Sequence, residues 1–149
     1  MLDDQTRAKR CAAIMLAGDA ASRALGLELE EIGPGHATMG LTVGAQHVNG
    51  HGVCHGGVIF TLADTCFAFA CNSRNQNTLA QHAMVSYLAP GQLGDRLTAV
   101  AREVSQAGRS GIYDVRVTNQ DGVVIAEFRG FSRTIKGRLF DESQPENDQ

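Results

Sequence analysis

A single carboxylate inside an apolar segment is the feature of this sequence best suited to chemistry. Asp64 is the only charged residue between Gly56 and Ser73, and the residues around it are apolar or weakly polar. Burying a carboxylate costs free energy unless it is paired, hydrogen-bonded or protonated. Burial should also raise its pKa unless nearby donors offset the effect. The sequence therefore favours a functional role for Asp64 as an acid or a base.

A glycine-rich segment, Asn49 to Gly57, precedes the apolar one and combines a turn with the start of a helix. The first N–H groups of a helix are unpaired and can hold an oxyanion. Gly57 and Asp64 share one side of that helix but lie about 10 Å apart along its axis. Because groups that act on one carbonyl must lie within about 3 Å of it, a site that uses both must be shared by two chains. Two-fold dimers are the commonest oligomers.

Length and charge narrow the class of protein. The 149 residues correspond to one domain, and the net charge of -3 without a long basic run argues against nucleic-acid binding. The longest apolar run, 58–71, is shorter than the roughly 20 residues that span a bilayer. The N-terminus lacks a secretory pattern, and the four cysteines form no CxxC pair. We therefore expect a cytoplasmic protein with no membrane partner.

The hydrophobic pattern predicts an α+β domain over residues 1–135. The predicted elements are a helix over about 3–25, strands over 27–32 and 36–43, a helix over 55–73, and strands over 79–88, 95–104, 111–119 and 123–133. Turn-linked strands imply an antiparallel sheet. The second helix is apolar nearly all round and should be buried on most sides, with the sheet curled around it. Residues 136–149, which end in an acidic run, are expected to form a disordered tail.

Several short motifs resemble those of a known family. They are Asn49-Gly50-His51, then His55-Gly56-Gly57 followed by Asp64, and Tyr87-Leu88-Ala89-Pro90-Gly91. Over roughly residues 15–135 the sequence resembles the hotdog-fold acyl-CoA thioesterases, and in particular the phenylacetate-degradation (PaaI-type) branch. The resemblance implies hydrolysis of a (hydroxy)phenylacetyl-CoA-type aryl-acyl-CoA to free acid and CoA, with no cofactor and no metal. It also implies a homodimer with shared active sites that assembles into a homotetramer.

The resemblance assigns catalytic roles residue by residue. Asp64 corresponds to the carboxylate that acts as general base on water or as nucleophile on the thioester carbonyl. A backbone N–H of Gly56 or Gly57 would polarise that carbonyl. Asn49 would orient water or help to bind the thioester. His55 would support the turn and could hydrogen-bond near the thioester.

Further residues are assigned to substrate binding. They are Tyr87, Leu88, Pro90 and Gly91 for the pantetheine tunnel, and Arg109, Ser110 and Arg133 for the CoA phosphates. Some relatives carry a hydroxyl where this chain has Ala80, or a Thr where it has Ala68. Thr65 is the nearest substitute in sequence for the group that positions water.

Other interpretations remain open. A group of potential metal ligands, without a standard zinc spacing, consists of His47, His51, Cys54 and His55. Cys54 and His55 are also a possible nucleophile pair, although adjacent residues rarely aim at one point. The same fold serves as dehydratases, as non-catalytic acyl-CoA-binding proteins and as thioesterases for medium-chain aliphatic acyl-CoA. Asn49 and the glycines have purely structural alternatives, as a turn and as sites of close packing.

Overall fold

The structure, a computed structural model, describes residues 1–145. Its elements are α1 (Asp4–Gly18), α2 (Ala20–Leu25), β1 (Glu28–Gly33), β2 (His36–Thr42), a 3-10 turn (Ala45–His47), α3 (Gly56–Cys71), β3 (Thr78–Tyr87), β4 (Arg96–Ala107), β5 (Ser110–Thr118) and β6 (Val124–Thr134). The order of helices and strands predicted from the sequence is confirmed. The predicted first helix is two helices, because Asp19 ends α1 and its carboxylate caps α2 by accepting from the Ser22 N–H at 3.0 Å.

All six strands form one antiparallel sheet in the order β1-β2-β4-β5-β6-β3. The alternation predicted for β5 is confirmed, since Tyr113, Val115 and Val117 are buried. The intervening Asp114 and Arg116 lie on the other face, in ion pairs with β6. The apolar face of the sheet packs against α3.

β3 lies at the edge of the sheet, next to β6 and not next to β4, which follows it in sequence. Within residues 1–145 its other side has no neighbouring strand. Large apolar side chains on and just after this strand are exposed, namely Leu79, Met84, Tyr87 and Leu88. A long apolar edge strand is a ready site for pairing with another chain.

α3 is buried on most sides, as its composition predicts, and one stripe of it stays partly uncovered. Its buried face includes Leu62, Ala63, Cys66 and Phe67. The opposite stripe is exposed at its start and half-buried after it, and it comprises Gly57, Thr61, Asp64, Thr65 and Ala68. The sheet covers only one side of the helix, so residues at this helical spacing stay partly uncovered.

Residues that follow β6 contact the N-terminal helix. Glu142 forms an ion pair with Arg7 at 2.8 Å, and the buried Asn75 side chain bonds to the backbone of Leu139 and Phe140. Residues 146–149 of the expected disordered tail lie outside the described residues, and the disorder of the tail stays a prediction. The four cysteines are buried, and no two of them form a disulfide. Across residues 1–145, none of the helices combines the length and apolar character needed to cross a bilayer.

Candidate active site

At the start of α3, the two candidate amide donors differ in whether the N–H already has a hydrogen-bond partner. His55 is the N-cap, and its Nδ1 accepts a hydrogen bond from the Gly57 N–H at 2.9 Å. The His55 carbonyl accepts from the N–H groups of Val58 and Ile59 at 2.9 and 3.2 Å. Among residues 1–145, the Gly56 N–H has no hydrogen-bond partner. Gly56 is therefore the first-turn amide that is available to a ligand.

Gly56 also lines a cleft of about 350 Å³ that contains most of the predicted tunnel residues. The lining residues are Val53, Cys54, Gly56, Ile59, Tyr87, Leu88, Ala89 and Pro90. The Tyr87 hydroxyl donates to the Gly56 carbonyl at 3.0 Å, which ties the end of β3 to the helix mouth. Gly91 lies outside the lining. It is buried, and its carbonyl accepts from the Cys54 N–H at 2.7 Å.

The sequence interpretation missed part of this lining. Ile59 follows Gly56 by three residues on α3, so helical spacing places both on one face. Val53 is brought in by an antiparallel bridge to Gln92, next to the predicted tunnel segment. The position of Ile59 could have been predicted from helical periodicity. The position of Val53 depends on a pairing between distant segments, which the local sequence pattern does not encode.

Asp64 lies on the partly uncovered stripe of α3 and outside the cleft of its own chain. Its carboxylate has no hydrogen bond and no ion pair with any of residues 1–145. Burial raises the pKa of this carboxyl group above its ordinary value, as expected from the sequence. The side chain of the adjacent Thr65 is half-buried, and no contact identifies it as the group that positions water.

Asn49 closes a tight turn. Its Oδ1 accepts from the N–H groups of His51 and Val53 at 3.0 and 3.3 Å, and Gly52 adopts a φ of 79°. Asn119 makes the same pair of contacts in the β5–β6 turn. The turn role proposed as an alternative for Asn49 is therefore present. It occupies Oδ1 and leaves Nδ2 without a partner among the described residues.

The metal and cysteine alternatives find little support in this geometry. His47 is buried, its Nδ1 accepts from the Gly44 N–H, and its Nε2 donates to the Leu25 carbonyl. In the described part of the chain, no three His, Cys, Asp or Glu side chains are placed to hold a metal ion. Burial raises the pKa of the Cys54 thiol to about 11, which disfavours the nucleophilic thiolate. His55 Nδ1 is already an acceptor for Gly57.

The phosphate-binding candidates lie at the opposite end of the sheet. Ser110 pairs with Arg133, and the Arg109 carbonyl accepts from the Thr134 N–H at 2.8 Å. Tyr87 pairs with Ala126, and Arg133 lies seven positions further along β6, a distance of roughly 23 Å. The fold thus gathers Arg109, Ser110 and Arg133 into one exposed group. It does not bring that group to the cleft of the same chain.

Comparison with known proteins agrees with the fold and the motifs. Residues 51–126 match the family model of the thioesterase superfamily. The chain is 42% identical over 129 residues to the acyl-coenzyme A thioesterase PaaI of Escherichia coli, which covers 87% of this chain and 92% of that protein.

Solved structures match as well. The structure of E. coli PaaI, from the phenylacetic acid degradation operon, superposes with a TM-score of 0.89 at 40% identity, over 91% of this chain and 99% of that one. A Streptococcus mutans protein bound to acetyl CoA matches with a TM-score of 0.72 at 28% identity, over 75% and 90% of the two chains. Sequence and structure together show that the chain belongs to the thioesterase superfamily and has its hotdog fold.

Proposed function

We propose that this chain, an acyl-CoA thioesterase of the PaaI type, hydrolyses a (hydroxy)phenylacetyl-CoA-type thioester to the free acid and CoA. The observation that carries the proposal is the pair of unsatisfied groups on α3. These are the Asp64 carboxylate and the Gly56 N–H, each without a partner among residues 1–145. One is a base, and the other is an anion-binding donor at the positive end of a helix.

The two groups supply complementary parts of thioester hydrolysis. The thioester carbonyl oxygen accepts from the Gly56 N–H, which stabilises the negative charge that develops on attack. The Asp64 carboxylate removes a proton from water, and the oxygen of that water bonds to the carbonyl carbon. The C–S bond then breaks, and the departing thiolate takes the proton that Asp64 removed from water, so CoA leaves as the thiol and Asp64 is again a carboxylate. If Asp64 instead attacks the carbonyl directly, water hydrolyses the resulting anhydride, and the products are the same.

These roles require a second subunit. Asp64 lies about 12 Å along the helix axis from Gly56 of its own chain, too far for both to reach one carbonyl. We propose a two-fold dimer in which two α3 helices run antiparallel, so that Asp64 of one subunit meets the Gly56 mouth of the other. The uncovered stripe of α3 and the unpaired edge of β3 are the surfaces that such a dimer would bury.

The same arrangement accounts for the position of the arginines. Antiparallel pairing of β3 edges would bring the far end of one sheet, with Arg109, Ser110 and Arg133, toward the cleft end of the other. Guanidinium groups suit the phosphates of CoA. CoA-ester binding is supported by the related Streptococcus mutans structure, which holds acetyl CoA. We propose that two such dimers associate into a homotetramer.

A panel of CoA esters, assayed for release of free thiol, tests the substrate class. We expect phenylacetyl-CoA and its ring-hydroxylated forms to give a kcat/KM at least about tenfold above that of medium-chain aliphatic esters. The reverse order would refute the aryl assignment and leave the hydrolysis in place. Rates at background for every ester would favour an acyl-CoA-binding protein. The Asp64→Ala variant, which lacks the proposed base, gives the background rate of thiol release for each ester.

A further inference from the structure

One peptide group at the mouth of α3 is held at both ends by side chains. Its carbonyl belongs to Gly56 and accepts from the Tyr87 hydroxyl at 3.0 Å. Its N–H belongs to Gly57 and donates to Nδ1 of His55 at 2.9 Å. The first contact joins positions 31 residues apart, so it depends on the tertiary fold. Two rings from different elements therefore fix the orientation of this peptide.

The glycine pair is what lets the rings approach. A Cβ on Gly56 would lie 3.3 Å from Cζ of Tyr87, and a Cβ on Gly57 would lie 3.1 Å from Nδ1 of His55. Both distances are shorter than ordinary Cβ contacts, so a larger residue would push the ring away. Two glycines at a helix start also cost more backbone entropy than other residues. The two hydrogen bonds add side-chain restraints to this glycine pair, beyond the bonds of the helix itself.

Gly56 links this clamped peptide to the one before it. The His55 carbonyl is fixed by the N–H groups of Val58 and Ile59. The Gly56 N–H belongs to the same planar peptide as the His55 carbonyl, so its direction is set by that anchored carbonyl and by the clamped Gly56–Gly57 peptide that follows. A donor stabilises an oxyanion most when it is oriented before the reaction begins.

We infer that Tyr87 is a positioning residue for the reaction. Its hydroxyl fixes the Gly56–Gly57 peptide and so holds the Gly56 N–H in place for the developing oxyanion. This role rests on the proposed function, and it differs from that of a wall of the pantetheine tunnel. A wall contacts substrate and transition state alike and alters KM. Orientation of an oxyanion donor alters kcat.

Tyr87→Phe removes the hydroxyl and keeps the ring against Gly56. We expect kcat to fall about tenfold, the size of one lost hydrogen bond, with KM within about twofold. The Gly57 amide should also exchange its hydrogen faster by NMR, because its peptide has lost one restraint. Tyr113→Phe is the matched control, since that hydroxyl donates to Glu103 at 3.0 Å, away from the cleft. Its kcat should stay within about twofold of that of the unmodified protein.

An unchanged kcat with a raised KM in Tyr87→Phe would make Tyr87 a tunnel wall and overturn the inference. Unchanged exchange of the Gly57 amide would overturn it as well. Either result would leave the loss of activity expected for Asp64→Asn intact, and with it the proposed function. Full activity in Asp64→Asn would instead overturn the proposed function and the positioning role together.

Discussion

Asp64 lies eight residues beyond Gly56 on α3, which places it about 12 Å further along the helix axis. Each residue holds a polar group without a partner in the described chain, a carboxylate on Asp64 and an N–H on Gly56. Within one subunit, the carboxylate and the N–H are too far apart to act on the same thioester carbonyl. In a two-fold dimer with antiparallel α3 helices, Asp64 of one subunit would meet Gly56 of the other. Such a dimer would have two equivalent sites.

Replacement of Asp64 should separate activity from stability. Asp64→Asn removes the base and should lower kcat by at least about 100-fold. The same change removes a half-buried charge from a group whose pKa is raised by burial, so the free energy of unfolding at neutral pH should increase. The gain should vanish below the ordinary Asp pKa, where the folded and unfolded carboxyl groups are both protonated. Thiol release and urea unfolding at neutral and acid pH measure the two effects, and a less stable variant at neutral pH would contradict the second.

The pH dependence of the reaction should show the same carboxyl group. Asp64 acts as the carboxylate, and its pKa is raised above the ordinary 3.8, so kcat/KM should fall on the acid side with an apparent pKa above that value. A profile of kcat/KM from about pH 4 to about pH 8 measures it. Asp114→Asn is the control, because Arg129 lowers the pKa of Asp114. This variant should show the same fall in kcat/KM on the acid side. A flat profile would exclude the proposed base.

The sequence predicted the elements that carry the site because their patterns are local. The apolar run around Asp64 marked α3, the glycine-rich turn marked its start at His55, and the alternation in β5 marked its buried face. The break at Asp19 was missed because a capping carboxylate competes with helix continuation, and the pattern of apolar residues does not show it.

Contacts between distant segments could not be read in the same way. The bond from Tyr87 to Gly56 and the place of β3 beside β6 depend on how the sheet closes over the helix. The motif placed Tyr87 near the site and did not show what its hydroxyl holds. Likewise, the choice between Gly56 and Gly57 as donor needed the ring position of His55.

The Gly56 amide can be removed with little change to the fold. Gly56 is the first residue of α3, a position where proline is common, and His55 has φ -59° and ψ 133°, which suit a residue before proline. Gly56→Ala keeps the N–H and adds the same Cβ beside Tyr87. We expect kcat of Gly56→Pro to lie at least about 100-fold below that of Gly56→Ala, with similar melting temperatures. Equal rates in the two variants would remove this amide from the mechanism.

Asn49 and Asn119 offer a matched pair for testing the catalytic role proposed for the Asn49 amide. Asn→Asp at either position keeps the Oδ1 acceptor that closes the turn and removes the Nδ2 donor. If Asn49 Nδ2 orients water or the thioester, Asn49→Asp should lower kcat by about tenfold or more. Asn119→Asp, which adds the same charge to the β5–β6 turn, should leave kcat unchanged. Equal kcat values in both variants would reduce Asn49 to a turn residue.

The shared site can be tested most directly by mixing two inactive chains. Asp64→Asn and Gly56→Pro, refolded together in equal amounts, should form hybrid dimers in which one site carries both changes and the other carries neither. Half of the dimers would then hold one intact site of two, so the mixture should recover about one quarter of the activity of the unmodified protein. A mixture as inactive as its components would show that each chain builds its site alone, and would contradict the account.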